Sequence, residues 1–177
     1  MKIHAVVFDW DGVIVDTMPS IAIGIKEVAR SYGVDVSVES ILETYMQPKE
    51  VFYKSIGVEP KDMLELSRRH AEAMARLGSI GNVFADTKPA LQELKKLGFS
   101  LAIATQEESS RILEEITHRD LSKFFPSEYV IAGQEKKKEN KLRELALRFN
   151  AQPEALLFVG DLPSDITSAK NAGVKSA

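Results

Sequence analysis

The stretch VVFDWDGVIVDT, residues 6–17, decides the fold. A short apolar, β-branched run ends in Asp9–Trp10–Asp11–Gly12, and an apolar run then resumes. Residues 3–8 read as a buried strand. Two carboxylates one residue apart, followed by a glycine that lets the backbone turn tightly and approach a ligand, stand where that strand should simply turn a corner.

The rest of the chain shows what the corner faces. From Thr17 to about Gly81 the pattern is helical, with no convincing strand. Pro19 suits the first turn of a helix, Ile21, Ile25, Val28, Ala29 and Tyr32 mark its apolar face, and Gly33 ends it. Residues 40–56 give one or two helical pieces broken near Gln47–Pro48. Residues 61–77 repeat the helical period through Met63, Leu64, His70, Ala71 and Met74. Strands and helices then alternate. Helices are expected over 86–97, 109–125, 140–149 and 165–172. Strands are expected over FSLAIAT (99–105), EYVIAG (128–133) and ALLFVG (155–160). This alternation predicts an α/β fold, a Rossmann-like, three-layer, doubly wound parallel sheet. A small helical domain, residues 17–81, is inserted after the first strand, and residues 1–16 and 82–177 form the core domain. The chain stops at GVKSA, where a last strand should form, so that strand is unusually short or a tail is lacking.

Composition narrows the chemistry. A net charge of −3 over 177 residues gives no reason to expect nucleic acid as a partner. The absence of cysteine excludes disulfides and thiolate metal sites. No signal-peptide pattern follows Met1 and no apolar run could span a bilayer, so a cytoplasmic protein without membrane partners is expected, as a monomer or small homo-oligomer.

In a parallel α/β sheet, ligands bind beyond the carboxyl ends of the strands. The polar residues at those ends are Asp9 and Asp11, Thr105, and Asp161 and Asp165 of GDLPSD. The segment EKKKENK adds Lys136, Lys137, Lys138 and Lys141. Carboxylates that converge repel one another unless a cation sits among them. With hard oxygen donors, magnesium is the natural occupant, and it suits a phosphate substrate.

FDWDGVIVDT resembles the first motif of the haloacid dehalogenase superfamily of aspartate-nucleophile phosphohydrolases. AIAT resembles the second motif, and FVGDLPSDITSAKNAG the fourth. The helical insert resembles the family's cap, and the general likeness is to its sugar-phosphate and phosphoglycolate phosphatases. The resemblance implies a magnesium-dependent hydrolase of phosphoric monoesters, acting on a small phosphorylated metabolite through an aspartyl-phosphate. It makes Asp9 the nucleophile and Asp11 the general acid–base. Asp9, Asp161 and Asp165 would form the metal site, with Asp11 contributing its backbone carbonyl. Thr105 would bind phosphate, with Gln106, Gly12 and Lys138 beside it. Gln106 stands where the family often has Asn or Gly. The motif-three lysine falls at Lys138 by one spacing and at Lys136 by another; Lys138 is favoured because a helix starts right after it. The same aspartates would serve a phosphomutase, and the fold could instead carry a non-catalytic binding or regulatory module. Trp10 is expected either to line the pocket or to pack against a loop.

Overall fold

The computed structural model describes residues 2–45, 48–59, 62–77 and 81–177. Gln47, where a helix break is expected, and Lys61, where a helix is expected to begin, lie outside them. The described residues form two compact units, one of residues 1–15 and 83–177, the other of residues 16–82.

The first unit is built on β1 (Ala5–Phe8). After β2 (Val15–Asp16), the chain runs through α1 (Met18–Ser31), α2 (Val38–Thr44), α3 (Lys49–Ser55) and α4 (Met63–Leu77) of the second unit, then β3 (Asn82–Val83). It continues as α5 (Thr87–Lys96), β4 (Ser100–Ala104), α6 (Ser109–His118), β5 (Val130–Ile131), α7 (Lys138–Arg148), β6 (Leu156–Val159), α8 (Pro163–Ala172) and β7 (Lys175–Ser176). The five-stranded sheet has the order β5-β4-β1-β6-β7, and its neighbouring strands all pair in parallel. β2 and β3 form a separate two-stranded sheet.

Period-two alternation makes the layers. Ala5, Val7, Ala102, Ala104, Leu156 and Phe158 join Leu142, Leu145 and Phe149 of the α7 side and Ala169 and Ala172 of α8 in one core. Val6, Phe8, Leu101 and Ile103 join Leu91 of α5 and Ile112 and Ile116 of α6 in another. β1 is therefore covered on both faces, as a central parallel strand must be. Each fully buried Leu or Phe contributes roughly 1.5–3 kcal/mol.

Several elements are shorter than their apolar patterns predict. α6 stops at His118 although Leu121, Phe124 and Phe125 are buried, because Asp120 takes a left-handed conformation (φ 56°) that breaks the helix. The strand expected over 128–133 shrinks to Val130–Ile131, preceded by a single turn of 3-10 helix at Ser127–Tyr129. α7 begins two residues before the expected start.

The second unit has its own core, including Ala22, Ile25, Val28, Ile41, Phe52, Tyr53, Leu66 and Ala73. Asp16 accepts a bond from the Met18 amide at 3.3 Å, at the entry to α1. In α4 the buried face is only in part the expected one: Met74 packs against this core and His70 is half-buried. Leu66 and Ala73 point inward, whereas Met63, Leu64 and Ala71 are exposed. Arg68 forms ion pairs with Glu65 and Glu72 on the solvent side. No helix among the described residues is long and apolar enough to cross a membrane.

Buried Tyr53 is hydrogen-bonded to Nδ1 of half-buried His70 at 3.0 Å. Burial, helped by the Lys49 charge and opposed by Glu50, pushes the His70 pKa down to about 4. An unfolded histidine takes its proton near pH 6.5, so the unfolded chain binds more protons between those values and acid favours it. The His70 contribution is therefore full above pH 6.5 and is lost as pH falls towards 4. Discounted for partial exposure it amounts to about 1–2 kcal/mol. Urea unfolding between pH 4 and 7, followed by a probe of residues 16–82, should show this slope, and His70→Gln should flatten it.

Candidate active site

The sheet register fixes the site. Phe8 lies opposite Ile103 on one side and Val159 on the other, so Asp9 emerges level with Ala104 and Gly160. The Asp9 amide continues the ladder by donating to the Val159 carbonyl at 2.9 Å. Thr105 does the same towards β5, donating to Ile131 at 3.1 Å. The carboxyl ends of β1, β4 and β6 therefore stop at one level.

Oxygens of Asp9, Asp161 and Asp165 converge there, one from each carboxylate, all within 4.8 Å of one another. Asp9 and Asp165 are buried and Asp161 is exposed. Asp165 lies in the first turn of α8, where its Oδ2 accepts from the Leu162 amide at 3.1 Å. Two glycines clear the space. Gly12 has φ +74°, and a Cβ there would lie 2.2 Å from Asp161 Oδ2. A Cβ on Gly160 would lie 2.4 Å from the Asp165 Cβ.

Lys138, at the first position of α7, sends its ammonium into this group. It donates to Asp9 Oδ2 and to Asp165 Oδ1, each at 2.5 Å, and its side chain is only 12% exposed. Burial disfavours its charge, but the two carboxylates outweigh that and hold its pKa above the ordinary lysine value. Burial raises the Asp9 pKa against the pull of Lys138, and burial with the neighbouring carboxylates raises that of Asp161. One ammonium among three carboxylates leaves an excess of negative charge. An oxygen-only donor set with that excess fits a hard divalent cation.

Asp11 faces elsewhere. Its Oδ1 is buried without a hydrogen-bond partner and lies 3.9 Å from Nη2 of Arg111, on α6. Burial, reinforced by the adjacent Glu107 and offset by Arg111, pushes its pKa up to about 7. It is thus a carboxyl that can hold or release a proton near neutrality. Trp10, between the two acids, is wholly buried in the core on the α6 side and donates its indole N–H to Glu115 at 3.1 Å.

Thr105 is buried, and its Oγ1 accepts from the Glu107 amide at 3.3 Å, which leaves the hydroxyl proton for another acceptor. Gln106 turns its amide to the Lys136 carbonyl at 3.3 Å. Lys136, the alternative motif-three lysine, is exposed and paired with Glu144 at 2.6 Å, away from Asp9. The structure therefore brings Asp9, Gly12, Lys138, Asp161 and Asp165 together and leaves the Lys136 ammonium outside. Sequence reasoning missed Glu107, Arg111 and Glu115, and did not foresee the burial of Lys141. For Lys141 a signal existed: Lys138, Lys141, Leu142 and Leu145 follow the i, i+3, i+4, i+7 spacing of one helix face.

A family model for haloacid dehalogenase-like hydrolases matches residues 6–177. The chain belongs to this family. A phosphoglycolate phosphatase of Vibrio cholerae serotype O1 is 28% identical over 190 residues, covering 99% of this chain and 83% of that protein. A phosphorylated carbohydrates phosphatase of Thermotoga maritima is 28% identical over 180 residues, covering 97% and 82%. A solved subfamily IA hydrolase of the superfamily from Geobacter sulfurreducens has a similar fold, with TM-score 0.70 at 24% identity, over 98% of this chain and 85% of that one. Homologues of this haloacid dehalogenase-like hydrolase are thus named phosphatases, enzymes that hydrolyse phosphate esters.

Gly12→Ala tests the cradle. The new methyl collides with the Asp161 carboxylate and the left-handed backbone is strained, a loss of about 1–2 kcal/mol from the backbone alone. Thermal melting should show that loss.

Proposed function

We propose that this protein is a magnesium-dependent phosphatase that hydrolyses a small phosphorylated metabolite through an aspartyl-phosphate. The observation that carries the reading is the convergence of Asp9, Asp161 and Asp165 around the Lys138 ammonium at the end of the sheet. Asp9, Asp161 and Asp165 would hold the divalent ion, together with the Asp11 backbone carbonyl. When bound, that ion neutralises charge on phosphoryl oxygens.

The chain's own residues supply the rest. The substrate phosphate rests on the Thr105 hydroxyl and on Lys138, both rigidly placed before substrate arrives. The Asp9 carboxylate attacks phosphorus, a P–O bond to Asp9 forms and the ester P–O bond breaks. Asp11 gives its proton to the departing alcohol oxygen. A water then attacks the same phosphorus, Asp11 takes its proton, and the bond to Asp9 breaks to release inorganic phosphate. Lys138 offsets negative charge on Asp9 and the phosphoryl group throughout. Selection among alcohols is assigned to the helical insertion, read as a cap domain over residues 17–81. The relatives' names make 2-phosphoglycolate and phosphorylated sugars the first esters to try.

Hydrolysis of p-nitrophenyl phosphate, with magnesium and with EDTA, checks the mechanism. Activity should vanish in EDTA and return with magnesium. Asp9→Asn should lower kcat by at least about 10³-fold and Asp11→Asn by about 10²–10⁴-fold. Turnover that persists in EDTA or survives Asp9→Asn overturns the reading.

A further inference from the structure

Lys141 lies one helical turn after Lys138 on α7, and no step above uses it. It is 1% exposed, and its ammonium donates to the main-chain carbonyls of Thr105 and Gly133. A lysine so buried persists only where its donors are satisfied. Its acceptors here are two neutral carbonyls, taken from the ends of adjacent strands.

Those strand ends need a clasp. β4 and β5 pair through Ile103 with Val130 and Ala104 with Ile131, and the Thr105 amide adds one bond to Ile131. Past that point the two loops diverge from strand geometry, with Gly133 at φ +105°. They are joined by the Gly133 amide donating to the Glu107 carbonyl at 2.5 Å and by Lys141 bridging the carbonyls of Thr105 and Gly133. The Glu107 amide in turn donates to Thr105 Oγ1. Lys141 thus grips the backbone that aims the Thr105 hydroxyl, from the same helix turn that carries Lys138.

We propose that Lys141 is a positioning residue for phosphate-ester hydrolysis: it clasps the ends of β4 and β5 to α7 and so sets the Thr105 hydroxyl relative to Lys138 and Asp9. Its effect on turnover rests on the phosphatase reading; the clasp itself rests on the geometry alone.

The test pairs kinetics with hydrogen–deuterium exchange in the full chain. Lys141→Met removes the donors and keeps the apolar stem. Lys141→Cys introduces the chain's sole thiol, since the sequence has no cysteine. Alkylation with 2-bromoethylamine in urea, then refolding beside wild type treated alike, restores an ammonium on a stem of lysine's length. With p-nitrophenyl phosphate and magnesium, Lys141→Met should lower kcat about 10- to 100-fold while KM moves less than about threefold. The Glu107 and Gly133 amides should exchange faster while β1 amides keep wild-type protection. The alkylated cysteine form should recover most of the lost kcat and that protection. If kcat of Lys141→Met stays within about twofold of wild type, or exchange rises equally throughout the sheet, the proposal is overturned. Should Lys141→Met not fold, Lys141→Gln, which keeps one donor group, is held to the same criteria. A wild type inactive on every phosphate ester refutes the phosphatase reading instead, and the exchange pattern then decides the clasp by itself.

Discussion

Like charges forced together at the end of a buried sheet are the constraint around which this protein is organised. Asp9 is carried there by β1, the strand covered on both faces, and has no freedom to withdraw. Asp161 and Asp165 come from the loop after β6 and the first turn of α8. At about 4 Å and an effective dielectric near 20, a pair of charges interacts by about 4 kcal/mol, comparable with a large part of a domain's stability. Lys138 offsets part of the repulsion, and burial raises the Asp9 pKa even so. The residues around the acids make sense only against that strain. Gly12 and Gly160 omit side chains where Asp161 and Asp165 need room. The excess negative charge on an oxygen-only donor set fits a hard cation.

The reach of the sequence was set by how local each signal is. β1, β4 and β6 were legible because short continuous apolar runs are those of strands buried on both faces of a sheet. The four aspartates were legible because each sits at a fixed offset from a strand end, and parallel strands in register bring such offsets to one level. What escaped depends on distant partners or on a local turn. The α4 stripe was misread because Met63 and Leu64 carry apolar side chains at a helix start that nothing covers within their own unit, while Leu66 and Ala73 face the core. The shrinkage of the strand after Tyr129 follows from a local turn at Ser127–Tyr129, invisible to hydrophobic periodicity. Lys141 looked like one solvated lysine in a basic run; its spacing puts it on the apolar face of α7, and the two carbonyls that satisfy its ammonium come from the loops after β4 and β5.

Asp9 and Asp11 are one residue apart, and burial raises the pKa of both, but their charged neighbours differ. Trp10 is the reason. Its amide donates to Asp9 Oδ1 at 2.8 Å, and its carbonyl accepts from the amides of Ile14 and Val15 at 2.9 and 3.1 Å, which winds the following turn. Its indole is locked into the core on the α6 side and tied to Glu115, which Arg111 and Arg119 hold in ion pairs. A side chain fixed at both ends forces the residues before and after it into different surroundings. Asp9 is left with Lys138 and the other carboxylates, an environment that keeps a negative charge useful. Asp11 is left beside Glu107 and Arg111, where burial first and a second carboxylate next favour a held proton and the guanidinium limits how far that goes. Trp10, anchored through both its backbone and its indole, is thus the side chain that turns two neighbouring acids into different surroundings.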